Sequence, residues 1–123
     1  MEIILTRQFK DDIKFYKRRK KYLKIEEDVQ PVIAELNDGN LIGDKLEALG
    51  IPMNTSVYKV RLPNSSTNMG KSGGFRLLYY VALADRIYVL KIYSKKDDNR
   101  IPTDALIVEL IKTLLNPEQS QRR

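Results

Sequence analysis

From Val57 to Tyr93 the hydrophobic pattern runs at a period of two, in three stretches separated by turn-forming residues. Strands at this spacing must find neighbours, so the pattern constrains the fold more than any other feature of the chain. In the first stretch Tyr58, Val60 and Leu62 alternate with Val57, Lys59 and Arg61, so one face is apolar and the other carries two cations. A polar loop, Pro63 to Asn68, follows. From Gly74 to Ala82 the second stretch puts Phe75, Leu77, Tyr79 and Val81 on one face and Arg76, Leu78 and Tyr80 on the other. Ala84 and Asp85 supply the turn into the third, Arg86 to Tyr93. Three strands in meander order imply an antiparallel sheet with helices packed on one face.

The flanking segments change period. Residues 2–6 read as a short strand leading into a helix over about 7–22, with Phe9, Ile13 and Tyr16 at helical spacing and Thr6 as N-cap. Its last turns, Lys17 to Lys21, suit the negative end of a helix dipole, and five consecutive charges span every face of a helix, so the run reads as a solvated terminus. A second helix is expected over about 26–37, with Val29, Val32, Ile33 and Leu36 inward and Pro31 tolerated only near the first turn. Residues 41–54 read as a loop with a helical turn around 44–49. A last helix, about 103–115, starts at Thr103 or Asp104 and shows Leu106, Ile107, Leu110, Ile111 and Leu114, and residues 116–123 are expected to fray. The expected fold class is therefore α+β: an N-terminal strand and two helices on one face of a twisted antiparallel sheet, with a C-terminal helix.

A chain of 123 residues is one domain by the usual prior and buries roughly two thirds of its unfolded surface. Its apolar runs are far too short to cross a bilayer, and Met1 to Thr6 has neither the basic start nor the apolar stretch of a secretory signal, so a cytoplasmic protein is expected. The chain has no cysteine and no histidine. That removes thiol nucleophiles, Cys-type zinc sites, the commonest general base and the commonest metal ligand together. Catalysis by such a chain falls to Lys, Arg, Tyr, Ser or carboxylates, and the acids offer no converging set for a metal; no cofactor is expected.

The charge is focused. Residues 57–100 hold nine Lys or Arg against three Asp, an excess of +6 that equals the net charge of the whole chain. A local positive field suits a polyanion such as nucleic acid. Gly70-Lys71-Ser72 resembles the end of a phosphate-binding P-loop, but residue 65 is Ser where that motif needs Gly, and a strand rather than a helix follows. Gly73-Gly74 marks a bulge or turn, or a hinge that presents Arg76. Arg76 has no acid on the strands around it, and if it shares a face with Lys59 and Arg61, three like charges meet where an anionic ligand would relieve them. Tyr58, Tyr79, Tyr80, Tyr88 and Tyr93 crowd the same region, as amphipathic core residues or, for one or two, as platforms for bases.

Three segments together resemble the RelE/ParE superfamily of type II toxin–antitoxin toxins, and within it the RelE/HigB ribonuclease branch: Tyr58 to Leu62, Gly70 to Tyr80, and Ile87 to Lys96. The resemblance implies a RelE-like fold and a metal-independent mRNA endoribonuclease, an mRNA interferase that cuts in the ribosomal A site and inhibits translation. In that chemistry the ribose 2′-hydroxyl of the substrate attacks the adjacent phosphate. By position, Lys59 and Arg61 match the paired basic residues that activate the 2′-hydroxyl and neutralise the phosphate. Arg76 matches the arginine that stabilises the transition state, and Lys95 or Lys96 the group supporting the leaving 5′-oxygen. Lys71, Tyr80, Lys91 and Tyr93 are the expected RNA contacts. The implied partners are a cognate antitoxin, mRNA and ribosomal RNA, with operator DNA bound only through the antitoxin complex and no membrane. Arginine keeps its proton at neutral pH, so Arg61 and Arg76 act only through charge, whereas Lys59 can serve as a base if crowding by its neighbours lowers its pKa. Some RelE-type enzymes carry a tyrosine where this chain reads Asn99 to Thr103, which moves the resemblance toward HigB. The competing reading is a non-catalytic or ParE-like member that binds gyrase, RNA or antitoxin only.

Overall fold

The computed structural model describes residues 1–115. The expected fray at 116–123 lies outside the described residues. The fold is α+β, with strands β1 (Glu2–Leu5), β2 (Asp44–Lys45), β3 (Ser56–Leu62), β4 (Phe75–Ala82) and β5 (Arg86–Ser94), and helices α1 (Arg7–Arg18), α2 (Ile25–Asn37) and α3 (Asp104–Leu115). The five strands form one sheet in the order β1-β5-β4-β3-β2. The meander β3-β4-β5 is antiparallel as its alternation requires, but β1 adds to β5 in parallel, so the sheet is mixed. Asp44 and Lys45, expected in a helical turn, instead pair with Lys59 and Tyr58 as the outermost strand.

Two apolar layers result from the alternation. One face of the meander, including Val60, Leu62, Phe75, Leu77 and Tyr79, packs against Phe9 and Tyr16 of α1 and Val29, Val32 and Leu36 of α2. The other face is not left bare. Val57, Leu78, Tyr80, Leu90 and Tyr93 pack with Leu49 and with Ile107 and Ile111 of α3. The sheet is thus covered on both faces at its centre.

Both caps seen in the sequence form. The Thr6 hydroxyl accepts the Phe9 amide at 3.3 Å, and the Thr103 hydroxyl accepts the Leu106 amide at 3.1 Å. Pro31 lies in the second turn of α2 rather than the first, because the helix starts at Ile25. The buried Val29, Val32 and Leu36 hold α2 in place across the missing hydrogen bond.

Helix α1 also completes the sheet where β1 ends. The Ile92 amide donates to Asp12 Oδ2 at 3.1 Å, and the Ser94 amide donates to the Tyr16 hydroxyl at 2.8 Å. Side chains one helical turn apart therefore satisfy an edge that would otherwise be unpaired. No helix among the described residues is long and apolar enough to cross a membrane.

Candidate nucleic-acid interface

Strand register decides which cations meet. Arg61 on β3 is the direct partner of Arg76 on β4, and Arg76 is in turn opposite Tyr93 on β5. Lys59 lies two residues from Arg61 on the same face, opposite Leu78. The shared facing expected for Lys59, Arg61 and Arg76 is present.

Their exposure differs. Arg61 is exposed and Lys59 half-buried, but Arg76 is only 6% exposed. Its guanidinium turns into the 71–75 turn: Nη1 donates to the Lys71 carbonyl at 2.9 Å and to the Phe75 carbonyl at 3.1 Å, and Nη2 to the Ser72 carbonyl at 3.2 Å. An arginine with five donors suits this task, since it can fix several carbonyls of a tight turn from one side. The expectation that Arg76 stands open beside Arg61 is corrected accordingly.

Lys95 converges on the same turn, its Nζ donating to the Ser72 carbonyl at 3.1 Å, so one carbonyl oxygen receives two cationic side chains. Lys96 reaches toward the Met69 sulfur at 3.7 Å. Lys71 projects from the turn, exposed. Arg61, Lys71, Lys95 and Lys96 are the accessible cations of the cluster.

Gly74 explains the turn's position. A Cβ there would fall inside contact distance of the Leu62 carbonyl oxygen and 2.8 Å from the Asn64 nitrogen. Gly74 thus marks a close approach of the turn to the end of β3.

Three of the expected RNA contacts are not on this surface. Lys91 is 5% exposed, with Nζ 3.2 Å from Asp12 Oδ1, and serves as a buried counter-ion. Tyr80 and Tyr93 are buried in the layer under α3, because the face they share with Leu78 is covered. Burial pushes the Tyr93 hydroxyl pKa up, against the pull of the nearby Arg76.

Asp12 was missed by sequence reasoning. It is fully buried and accepts from Gln8 Nε2, Lys91 Nζ, the Ile92 amide and Arg100 Nη2. Arg100 also lies over the Phe15 ring, 3.8 Å from its centroid. The signal was legible: an acid standing three residues after Phe9 and four before Tyr16, on the apolar stripe of its helix.

The basic segment therefore divides. Arg86, Lys91 and Arg100 have acidic partners in Glu2 and Asp12. Lys59, Arg61, Lys71, Arg76, Lys95 and Lys96 make no ion pair within 4.0 Å among the described residues, although Asp44 is the cross-strand neighbour of Lys59. Those six surround the 69–76 turn and the end of β3. Among the described residues no group of three or more acids is gathered for a metal ion. No family model matches this chain, and a search of curated proteins finds no match to it.

Proposed function

We propose that this chain acts on RNA as the toxin of a type II toxin–antitoxin pair, a cytoplasmic mRNA endoribonuclease of the RelE/HigB kind. The observation that carries this reading is the set of six cations around one turn that make no ion pair among the described residues, with Arg61 and Arg76 in cross-strand register. Clustered like charges are relieved by an anion, and the phosphates of a single strand supply one at each nucleotide. In-line attack by the substrate's own 2′-hydroxyl forms the O2′–P bond and breaks the P–O5′ bond. The protein has to take one proton, return one to the 5′-oxygen and stabilise charge on the phosphate, the last a task that fixed cations perform by position and field. Lys59 would take the proton only as the neutral amine, Arg61 neutralises the phosphate, and Lys95 or Lys96 attends the leaving oxygen.

Arg76 joins this chemistry only if the carbonyls of Lys71 and Ser72 release it. Its engagement by those carbonyls favours a second reading, in which the chain binds RNA or an antitoxin without cutting, and Arg76 serves to shape the turn that bears Lys71.

Expression in a translating extract with mapping of RNA 5′ ends decides between them. Codon-phased cuts that disappear in Arg61→Ala and Lys59→Ala support the nuclease. Intact mRNA with RNA still bound supports the second reading, and supercoiling defects with intact mRNA point instead to gyrase.

A further inference from the structure

A cleft of about 870 Å³ lies beside this surface, between α2 and the outer edge of β3. Its size falls in the range of small-ligand sites, roughly 300–1,000 Å³. One wall is a stripe of α2 in which Glu27, Pro31 and Glu35 follow one another at one-turn intervals; the other carries Lys59, Arg61 and Lys71.

Acids and bases face each other here without meeting, since no ion pair within 4.0 Å joins the two walls among the described residues. Two of the cleft's acids are already engaged. Asp28 accepts from the Ser65 amide and hydroxyl, and Glu35 accepts from Asn40 Nδ2. The carboxylates of Glu27, on α2, and of Asp44, on the strand beside Lys59, make no side-chain hydrogen bond or ion pair among the described residues. Pro31 adds to this wall. Lacking an N–H, it leaves the Glu27 carbonyl without its i+4 helical donor.

We propose that this cleft is a nucleotide subsite, holding a phosphate against Lys59, Arg61 and Lys71 and selecting the base by its donor edge against Glu27 and Asp44; the choice of RNA as ligand rests on the reading above. A carboxylate only accepts hydrogen bonds. Guanine presents N1–H and N2–H side by side and matches it best. Adenine and cytosine offer one exocyclic amino group. Uracil offers a single N3–H between two carbonyls that the carboxylate repels. A partner β-strand is the poorer fit, because β2 pairs only with Tyr58 and Lys59 and the free edge, Val60 to Leu62, is too short for a ladder.

The test is amide-shift titration of the ¹⁵N-labelled protein with 5′-GMP, 5′-UMP and inorganic phosphate. Shifts at 27–35, 44 and 59–61 are expected, with GMP about tenfold tighter than UMP. Glu27→Gln with Asp44→Asn, both at exposed positions, should bring the two nucleotides within about twofold while phosphate binds as well as before. Equal affinity for GMP and UMP in the unaltered protein, or shifts from phosphate that reproduce those from GMP, overturns the proposal. So does an extended peptide that displaces GMP and protects the Val60 to Leu62 amides. The cleavage assay is read separately. Base selectivity with intact mRNA removes the nuclease alone, and cut mRNA without base selectivity removes the subsite alone.

Discussion

Arg61 and Arg76 are direct partners across β3 and β4, and the two like charges are kept apart by burying one of them under backbone carbonyls. Opposed like charges on a sheet cost energy, and the carbonyl cap offsets this at Arg76 alone. Substitution should therefore separate the two. Arg61→Ala is expected to leave stability within about 0.5 kcal/mol and to lower the salt dependence of RNA binding by about one counter-ion. Arg76→Ala removes three hydrogen bonds and should cost roughly 1–3 kcal/mol, with faster hydrogen exchange in the 70–74 turn. Urea melts and RNA binding across a salt series measure both. Identical behaviour of the two variants would contradict the division of labour.

Asp12 is the point at which the basic segment is tied to the rest of the molecule. Removing one partner of a buried pair leaves the other charge uncompensated, so Asp12→Ala should cost about 3–5 kcal/mol. Asp12→Asn keeps an acceptor for the Ile92 amide but not the charge that Lys91 and Arg100 require, and it is expected to lose less than alanine while remaining well below the unaltered protein. If Lys91→Met restores much of the stability of Asp12→Asn, the cost lies in the orphaned ammonium. Denaturant midpoints for the single and double variants give the coupling directly.

The strands were legible because alternation is a local signal: each of Tyr58, Val60, Leu62 and Phe75, Leu77, Tyr79 declares its face from its own neighbours. The caps at Thr6 and Thr103 were legible for the same reason. What the pattern could not convey was occupancy of the second face. Leu78 and Tyr80 alternate with the inward residues whether or not a helix covers them, and it is Ile107 and Ile111, some thirty residues on, that do so. The fates of Arg76 and Lys91 were hidden likewise, one decided by carbonyls of a turn and the other by an acid 79 positions earlier. The parallel pairing of β1 with β5 needs the same long-range information.

Tyr16 links the stability of this fold to alkaline pH. Burial is the main cause that pushes its hydroxyl from 10.0 up to about 12, while the Ser94 amide works the other way by bonding the oxygen. The folded state thus holds this proton more tightly than the unfolded chain. Its stabilising effect is complete below pH 10, declines between 10 and 12, and is lost once pH rises through the folded value. Tyr79 is raised in the same sense by burial, so the alkaline decline has more than one contributor. Tyr16→Phe should lower stability at neutral pH by roughly 1–3 kcal/mol, because the Ser94 amide loses its acceptor, and should make the decline above pH 10 shallower. Thermal melts from pH 8 to 12 on both proteins check the two effects together, and parallel curves would show that Tyr16 is not a source of the decline.

Two glycines in one turn make a matched pair for the last prediction. At Gly74 an added Cβ would meet backbone on the far side, the Leu62 carbonyl and the Asn64 nitrogen, and backbone has no rotamer to yield. At Gly70, four residues earlier, nothing lies within 4 Å of the same added atom. Gly74→Ala should therefore cost about 1–3 kcal/mol or more and force the turn away from β3, carrying Lys71 and the carbonyls that hold Arg76 with it. Gly70→Ala should be neutral or slightly stabilising, by up to about 1 kcal/mol, through a less flexible unfolded chain. Chemical denaturation separates the two at once. RNA affinity adds the functional half: if the turn positions its cations through Gly74, binding falls in Gly74→Ala at temperatures where the variant is still folded, and is unchanged in Gly70→Ala.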